Sequence, residues 1–362
     1  MTIVENLLDL YTDYLLATPN HPTCTGLSKV LEGQISHDRF TRLLAGGTID
    51  SKRLWKQAKP LVQEMVDSTD CVVLGVDDTI QAKPYSRENE LNCWHFDHTE
   101  GRTVKGINLL SAVLTTDELA VPIGVEFIRK LDQQVCADGQ LRRRSPVTKN
   151  ELFRRMLRVC WDNTRFDYVA ADSWFSGTEN MDFIKNTLTR EFVMAAKCNR
   201  LAATSEAHKQ AGRWAPIEAL AGQGQPLKVW LRGMDYPVLL LKQVFKNEDD
   251  SEGVRYLVAS DLTVSAAKMI GIYQKPWKTE EYHKSIKHCS NLGGSPAHTP
   301  ATQQAHCVAA IISYTKLEKL KLKNRSNHFA LKSQIWIEAT RRALQCMSKL
   351  STRPDKYAYL TI

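Results

Sequence analysis

Cys71-Val72-Val73-Leu74-Gly75-Val76-Asp77-Asp78-Thr79 is the stretch on which the fold of this 362-residue chain turns. Six uncharged residues, half of them valine, run without a polar interruption and end in two acids. A strand with one wet face alternates apolar with polar residues, so a continuous run of this length reads as a strand buried on both faces. Working outward, residues 104–115 and 119–128 are two further apolar runs separated by Thr116-Asp117-Glu118, the pattern of an antiparallel hairpin. Residues 151–159 have helical periodicity, 166–171 form a fourth strand closed by Asp172, 178–188 a helix, and 191–197 a fifth strand. Three antiparallel strands, then a helix, then strand, helix and strand, is the order of an RNase H-like mixed α/β sheet.

Further out the texture changes. Residues 200–268 hold turn signals such as Gly222-Gln223-Gly224 and Gly233-Met234-Asp235 among short strand-like runs, and read as a mostly β insertion. From Met269 the chain reads as helical. The N-terminal stretch is helical as well, with a break at Pro19 to Pro22 and Ser36 as an N-cap of a helix that carries Arg39 and Arg42 on its outer face. Two short helices about a Gly33 turn resemble a helix-turn-helix, although a small helical packing module reads the same way. The resulting organisation is a helical DNA-binding region at 1–68, a core at 69–199 and 269–315 split by the insertion at 200–268, and a basic helical region at 316–362.

Charge narrows the class of partner. The formal net charge is +8, and from Met269 onward fifteen Lys and Arg stand against five acids. Such a surface suits a polyanion, because Lys and Arg that neutralise phosphates release condensed counterions. Nine scattered cysteines include no Cys-x-x-Cys pair, which argues against a disulfide framework and points to a reducing compartment. No apolar stretch is long enough to span a bilayer, so no membrane partner is expected.

Three acids fall where such a sheet would gather them. Asp77 and Asp78 end the first strand, and Asp172 ends the fourth, its neighbour in an RNase H-like sheet. Successive side chains on a strand point to opposite faces, so only one of the first pair can face the site. The third acid is Glu280 in Tyr273-Gln274-Lys275-Pro276-Trp277-Lys278-Thr279-Glu280-Glu281-Tyr282-His283-Lys284-Ser285-Ile286-Lys287. Pro276 suits the first position of a helix, on which Glu280, Lys284 and Lys287 share one face at i, i+4 and i+7.

This last segment resembles the signature of the bacterial insertion-sequence transposases of the family-four type, whose final motif is Tyr, Arg, Glu and Lys. In that group Tyr is followed after two residues by Arg, after three more by Glu, and after six more by Lys. Tyr273, Glu280 and Lys287 match in identity and spacing, Trp277 and Lys284 fit common motif positions, and Pro276 stands at the position of the Arg. The acid-Thr pair at the first strand and the segment Ser295-Pro296-Ala297-His298-Thr299-Pro300 are similar to the group as well. The resemblance, together with strand alternation, favours Asp78 over Asp77 and implies a metal-binding triad of Asp78, Asp172 and Glu280. It further implies Mg²⁺, with Mn²⁺ as a substitute, double-stranded DNA as substrate at element ends and at the target, cut-and-paste transposition, a homodimer on DNA, and a cytoplasmic location at the bacterial nucleoid. Tyr273, Trp277, Lys284 and Lys287 are then expected to contact DNA.

Other features are open to blander readings. Cys93-Trp94-His95-Phe96-Asp97-His98 has metal-ligand residue types, but a closed zinc site needs four ligands at workable spacing. Arg142, Arg143 and Arg144, near Lys149, Arg154, Arg155 and Arg158, form a basic cluster that fits DNA or a solvated face equally. His283 reads as a packing or phosphate-contacting residue, and Trp214 and Trp230 as core or as stacking surfaces. Two rivals to a transposase remain at this level: a non-catalytic DNA-binding protein derived from one, and a metal-dependent nuclease that never joins strands.

Overall fold

The computed structural model describes residues 3–98, 100–135, 139–246, 250–275 and 277–350, with the side chain of Trp277 outside the description. Pro276, proposed above as a helix start, lies outside the described residues, as does everything beyond Leu350. The chain divides into two compact units, one of Ala58–His283 and one of Met1–Gln57 with Lys284–Ile362.

Four helices come first: α1 (Ile3–Ala17), α2 (Cys24–Val30), α3 (His37–Ala45) and α4 (Ser51–Asp67). Strands β1 (Val73–Ala82), β2 (Asn92–Asp97), β3 (Arg102–Thr115) and β4 (Ala120–Phe127) follow, with a small hairpin of β5 (Asp132–Val135) and β6 (Leu141–Arg144). Next come α5 (Lys149–Asn163), β7 (Tyr168–Ala171), α6 (Thr178–Asp182) running into a π-helical turn at Phe183–Thr187, and β8 (Glu191–Ala196). The chain continues through β9 (Leu201–Ala203), α7 (Glu206–Gln210), β10 (Ala215–Pro216), α8 (Ile217–Leu220), β11 (Leu227–Leu231), β12 (Val238–Lys246) and β13 (Glu252–Ala259). Helices α9 (Ala266–Gln274), α10 (Trp277–His288), α11 (Pro300–Asn324) and α12 (His328–Leu350) complete it.

In the larger unit β3 pairs antiparallel with β1 on one edge and with β4 and β2 on the other, while β1, β7 and β8 run parallel. The order β4-β3-β1-β7-β8, antiparallel then parallel, is the RNase H-like arrangement. β1 is buried from Val73 to Val76, as its unbroken apolar run requires. The strands read from sequence as an insertion extend this same sheet, since β13 pairs antiparallel with β8 and β12 with β13. β2 is an element that the sequence reading did not separate from the metal-like Cys93–His98 residue types.

Helices cover both faces of the sheet. On one face Met269 and Ile272 of α9 pack with Val73, Tyr168, Ala170, Val193 and Leu257. On the other, α5 starts at a capping box in which Thr148 and Glu151 satisfy each other's backbone N–H groups. Its Phe153 stacks on Phe175 with ring centroids 4.8 Å apart.

The smaller unit is helical. Thr299 caps α11 with Pro300 in the first turn, and Arg325 ends it in the left-handed region at φ 48°. Lys332 of α12 is only 4% exposed. Its Nζ donates to Leu16 O at 2.5 Å, Cys289 O at 3.0 Å and Leu15 O at 3.4 Å. Two of these are last-turn carbonyls of α1, which have no partner within their own helix. Replacing Lys332 by Met keeps the length of the side chain but leaves buried carbonyls unmet. A loss of about 2–4 kcal/mol is expected in chemical denaturation, and an unchanged midpoint would show that the ammonium caps nothing of consequence.

Candidate active site

The register of β1 on β7 decides which acids meet. Val73 lies opposite Tyr168, Gly75 opposite Ala170 and Val76 opposite Ala171. Neighbours across a parallel pair point the same way, and one further step sets Asp77 beside Asp172, the residue after β7. Alternation puts Asp77 on the face of Val73, and Asp172 on that of Tyr168 and Ala170, which is the face that α9 covers.

The α9–α10 segment brings the third acid to this face. Tyr273 at the end of α9 packs against the same apolar cluster. Lys275 pairs with Asp117 at 3.3 Å, and Lys278 donates to Thr116 O at 2.9 Å, so two lysines bind the start of α10 to the β3–β4 turn. One turn on, the hydroxyls of Tyr282 and Ser111 are 3.2 Å apart, and Ser111 is the cross-strand partner of Asp77. His283 Nδ1 lies 3.7 Å from Asp77 Oδ2.

Asp78 points the other way. It is paired across the sheet with Leu110, and Lys149 Nζ of α5 donates to its Oδ2 at 2.7 Å. The geometry thus sets Asp77, and not the Asp78 favoured from sequence, on the face of Asp172; strand alternation separates the two acids without fixing the phase. Because residues 73–76 are buried on both faces, their polarity carries no record of which face holds the site.

The electrostatics single out the same residue. The Asp77 carboxyl keeps 39% of its side-chain surface exposed, yet it is ringed by protein atoms and acids. Burial first, then the charges of Asp172, Asp78 and Glu280, push its pKa up to about 7. Desolvation also raises Asp172, opposed by backbone N–H groups of Trp174 and Phe175; the Asp78 charge raises it further and Lys149 lowers it. Glu280 is raised by desolvation and pulled back by Arg255. Asp77 is held above its ordinary range by neighbouring acids as well as by burial, and oxygen donors with such uncompensated charge fit a hard divalent cation. Among the described residues no three His, Cys, Asp or Glu side chains stand close enough to hold an ion together, so the acids share a face without closing into a ligand set.

Arg255 of β13 escaped the sequence reading because it sits in a strand far from any motif. Its guanidinium lies 5.0 Å over the Tyr273 ring and 4.9 Å over that of Phe245. Of the residues expected to touch DNA, Arg39 and Arg42 are exposed on α3, and Arg142 and Arg144 are exposed on β6. Arg143 is half-buried and 3.4 Å from Glu88. Lys284 and Lys287 are exposed on α10 within the smaller unit, with Lys284 over the Phe329 ring at 5.6 Å. The Trp277 side chain is outside the described part. No described helix is long and apolar enough to cross a membrane.

A family model described as DDE superfamily endonuclease matches residues 5–228, more than half of the chain. The chain belongs to that family, whose members are endonucleases acting on DNA with divalent metal ions. The match takes in Asp77, Asp78 and Asp172 and ends before Glu280. No curated protein matches the chain.

The raised pKa of Asp77 has a thermodynamic sign. Between its ordinary value of 3.8 and about 7 the native state holds a proton that the unfolded chain has released. Stability of the metal-free protein therefore falls as pH rises through that window. Melts in EDTA from pH 5 to 8 should show wild type losing ground relative to Asp77→Asn as pH rises, with added Mg²⁺ restoring wild type most at the alkaline end. Parallel profiles for the two proteins would remove Asp77 from the role.

Proposed function

We propose that this chain is a DNA transposase that cuts at the ends of a mobile element and joins them to target DNA, and that Asp77, Asp172 and Glu280 are its metal-binding acids. The observation that carries the reading is the side-by-side placement of Asp77 and Asp172 on parallel neighbours, with the α10 acid on the same face. Divalent ions held there, Mg²⁺ in the first instance, would activate a water or a DNA 3′-hydroxyl and stabilise the leaving oxygen of an in-line displacement. The spacing of Tyr273, Glu280 and Lys287 supports the insertion-sequence group whose last motif is Tyr, Arg, Glu and Lys.

The chain's own residues supply orientation around that chemistry. His283 stands next to Asp77 and limits how its carboxylate can turn. Arg255, gripped between Tyr273 and Phe245, is a planar cation set near Glu280 and suited to a DNA phosphate. The exposed Arg39 and Arg42 on α3 and the basic helices of the smaller unit are surfaces for further backbone contacts. Two element ends must be held at once, which calls for a dimer on DNA.

Nicking and joining of a supercoiled plasmid and element-end DNA, with Mg²⁺ and then Mn²⁺, test the reading. Asp77→Asn, Asp172→Asn and Glu280→Gln should each cost more than about a hundredfold in rate while DNA binding persists, as loss of a metal ligand does. Asp78→Asn should stay within about tenfold of wild type. The reverse ranking of Asp77 and Asp78 would restore the earlier preference. Cleavage without any joining would reduce the protein to a nuclease, and binding without cleavage to a non-catalytic DNA-binding protein.

For Arg255→Ala, DNA affinity should weaken alike for unrelated sequences, and the slope of log affinity against log salt should shrink by about one. An unchanged slope would assign Arg255 to packing alone.

A further inference from the structure

The segment with metal-ligand residue types folds to a different end. Among the described strands β2 pairs only with β3, and its side chains from Cys93 to Phe96 alternate between buried and exposed. Cys93 and His95 turn in, where burial pulls His95 down to about 3, while Trp94 and Phe96 are 51% and 53% exposed. The row continues beyond the strand. Phe96 meets His98 edge-on with centroids 4.9 Å apart, and His98 meets Trp174 at 5.3 Å with the planes tilted by 49°. Trp174 is itself 47% exposed and belongs to the loop after β7.

Two observations tie this aromatic row to DNA rather than to another apolar partner. The first is position: the Trp174 backbone N–H donates to Asp172 Oδ1 at 3.0 Å, so the row ends two residues from one of the clustered acids. The second is charge. Lys149 Nζ lies 5.7 Å over the Trp174 ring while it also bonds Asp78, and Lys105 Nζ lies 5.9 Å over the Trp94 ring. Exposed rings interleaved with ammonium groups suit a strand whose bases stack and whose phosphates are anionic. Paired bases in a duplex are already stacked on each other and cannot use the rings.

We infer that Phe96, His98 and Trp174 form a stacking platform for unpaired DNA bases next to the acid pair, with Lys149 at its inner end. The inference deepens the reading of the acids as a DNA-cutting centre and rests on it for its biological purpose. The platform holds the single-stranded nucleotides that flank the bond to be cut. The segment with metal-ligand residue types thereby offers a nucleic-acid surface, because strand alternation sends its Cys and first His inward and its aromatic residues outward.

The test measures binding alone, in EDTA at one fixed salt concentration, using fluorescein-labelled dT12 and a labelled blunt 12-base-pair duplex. Trp174→Ala should weaken dT12 binding about tenfold or more and duplex binding less than twofold, and Phe96→Ala should act in the same direction. Trp174→Phe, which keeps a stacking face, should remain within about threefold of wild type, so a general folding defect is told apart from loss of stacking. A 2-aminopurine base placed in dT12 should be quenched by wild type and not by Trp174→Ala. Unchanged dT12 affinity in Trp174→Ala, or an equal loss on both DNAs, would overturn the platform, and tighter binding of rU12 than dT12 would overturn its assignment to DNA. Because no metal or cleavage is involved, a wild type that never nicks plasmid but shows these stacking effects would sink the reading of the acids and leave the platform standing.

Discussion

Parallel pairing of β1 with β7 is the interaction from which the rest of this structure follows. Backbone hydrogen bonding between two buried, apolar strands sets Val76 opposite Ala171, and the next residue on each is an acid. Neither strand can slip by one residue without turning its buried side chains to the wrong face, so the apolar packing holds two like charges together against their repulsion. Burial first, and then the charges of Asp172, Asp78 and Glu280, push the Asp77 pKa up to about 7. A countercharge brought by a divalent ion would relieve it, which links the packing of the core to the divalent-metal chemistry of the DDE superfamily endonuclease family.

The surroundings of the acids are assembled from parts remote in sequence. Two lysines at the start of α10 bind the β3–β4 turn, Tyr282 reaches Ser111, and a guanidinium from β13 settles on the Tyr273 ring. Strands β9–β13 thus do more than interrupt the core: they lengthen its sheet and deliver a cation toward the third acid. Lys149 pairs with Asp78 and also acts on Asp172, so the two adjacent acids of β1 have unlike partners, Asp78 a cation and Asp77 mainly acids.

Much of this was legible in the residues themselves. The unbroken apolar run at Val72 to Val76, the hairpin punctuated by Thr116-Asp117-Glu118 and the strand closed by Asp172 suffice for the order of an RNase H-like sheet, because periodicity and turn chemistry are local properties. Asp172 and Glu280 were likewise visible, one as a charge ending an apolar strand and the other inside a spaced motif. The Cys93–His98 segment, whose ligand-like residue types were set aside from sequence for want of a fourth ligand, forms a strand whose alternation separates Cys93 and His95 from Trp94 and Phe96.

What the sequence alone determined about this protein is therefore the set of elements and their order, since each depends on side chains within a turn or two of one another. Only the tertiary structure set Asp77 beside Asp172 and Asp78 against Lys149, placed Arg255 beside the α9–α10 segment and lined up Phe96, His98 and Trp174. The physical reason is common to all three. A strand buried on both faces carries no polarity that marks its functional side, and contacts across scores of residues are fixed by strand register and packing, which no local pattern encodes.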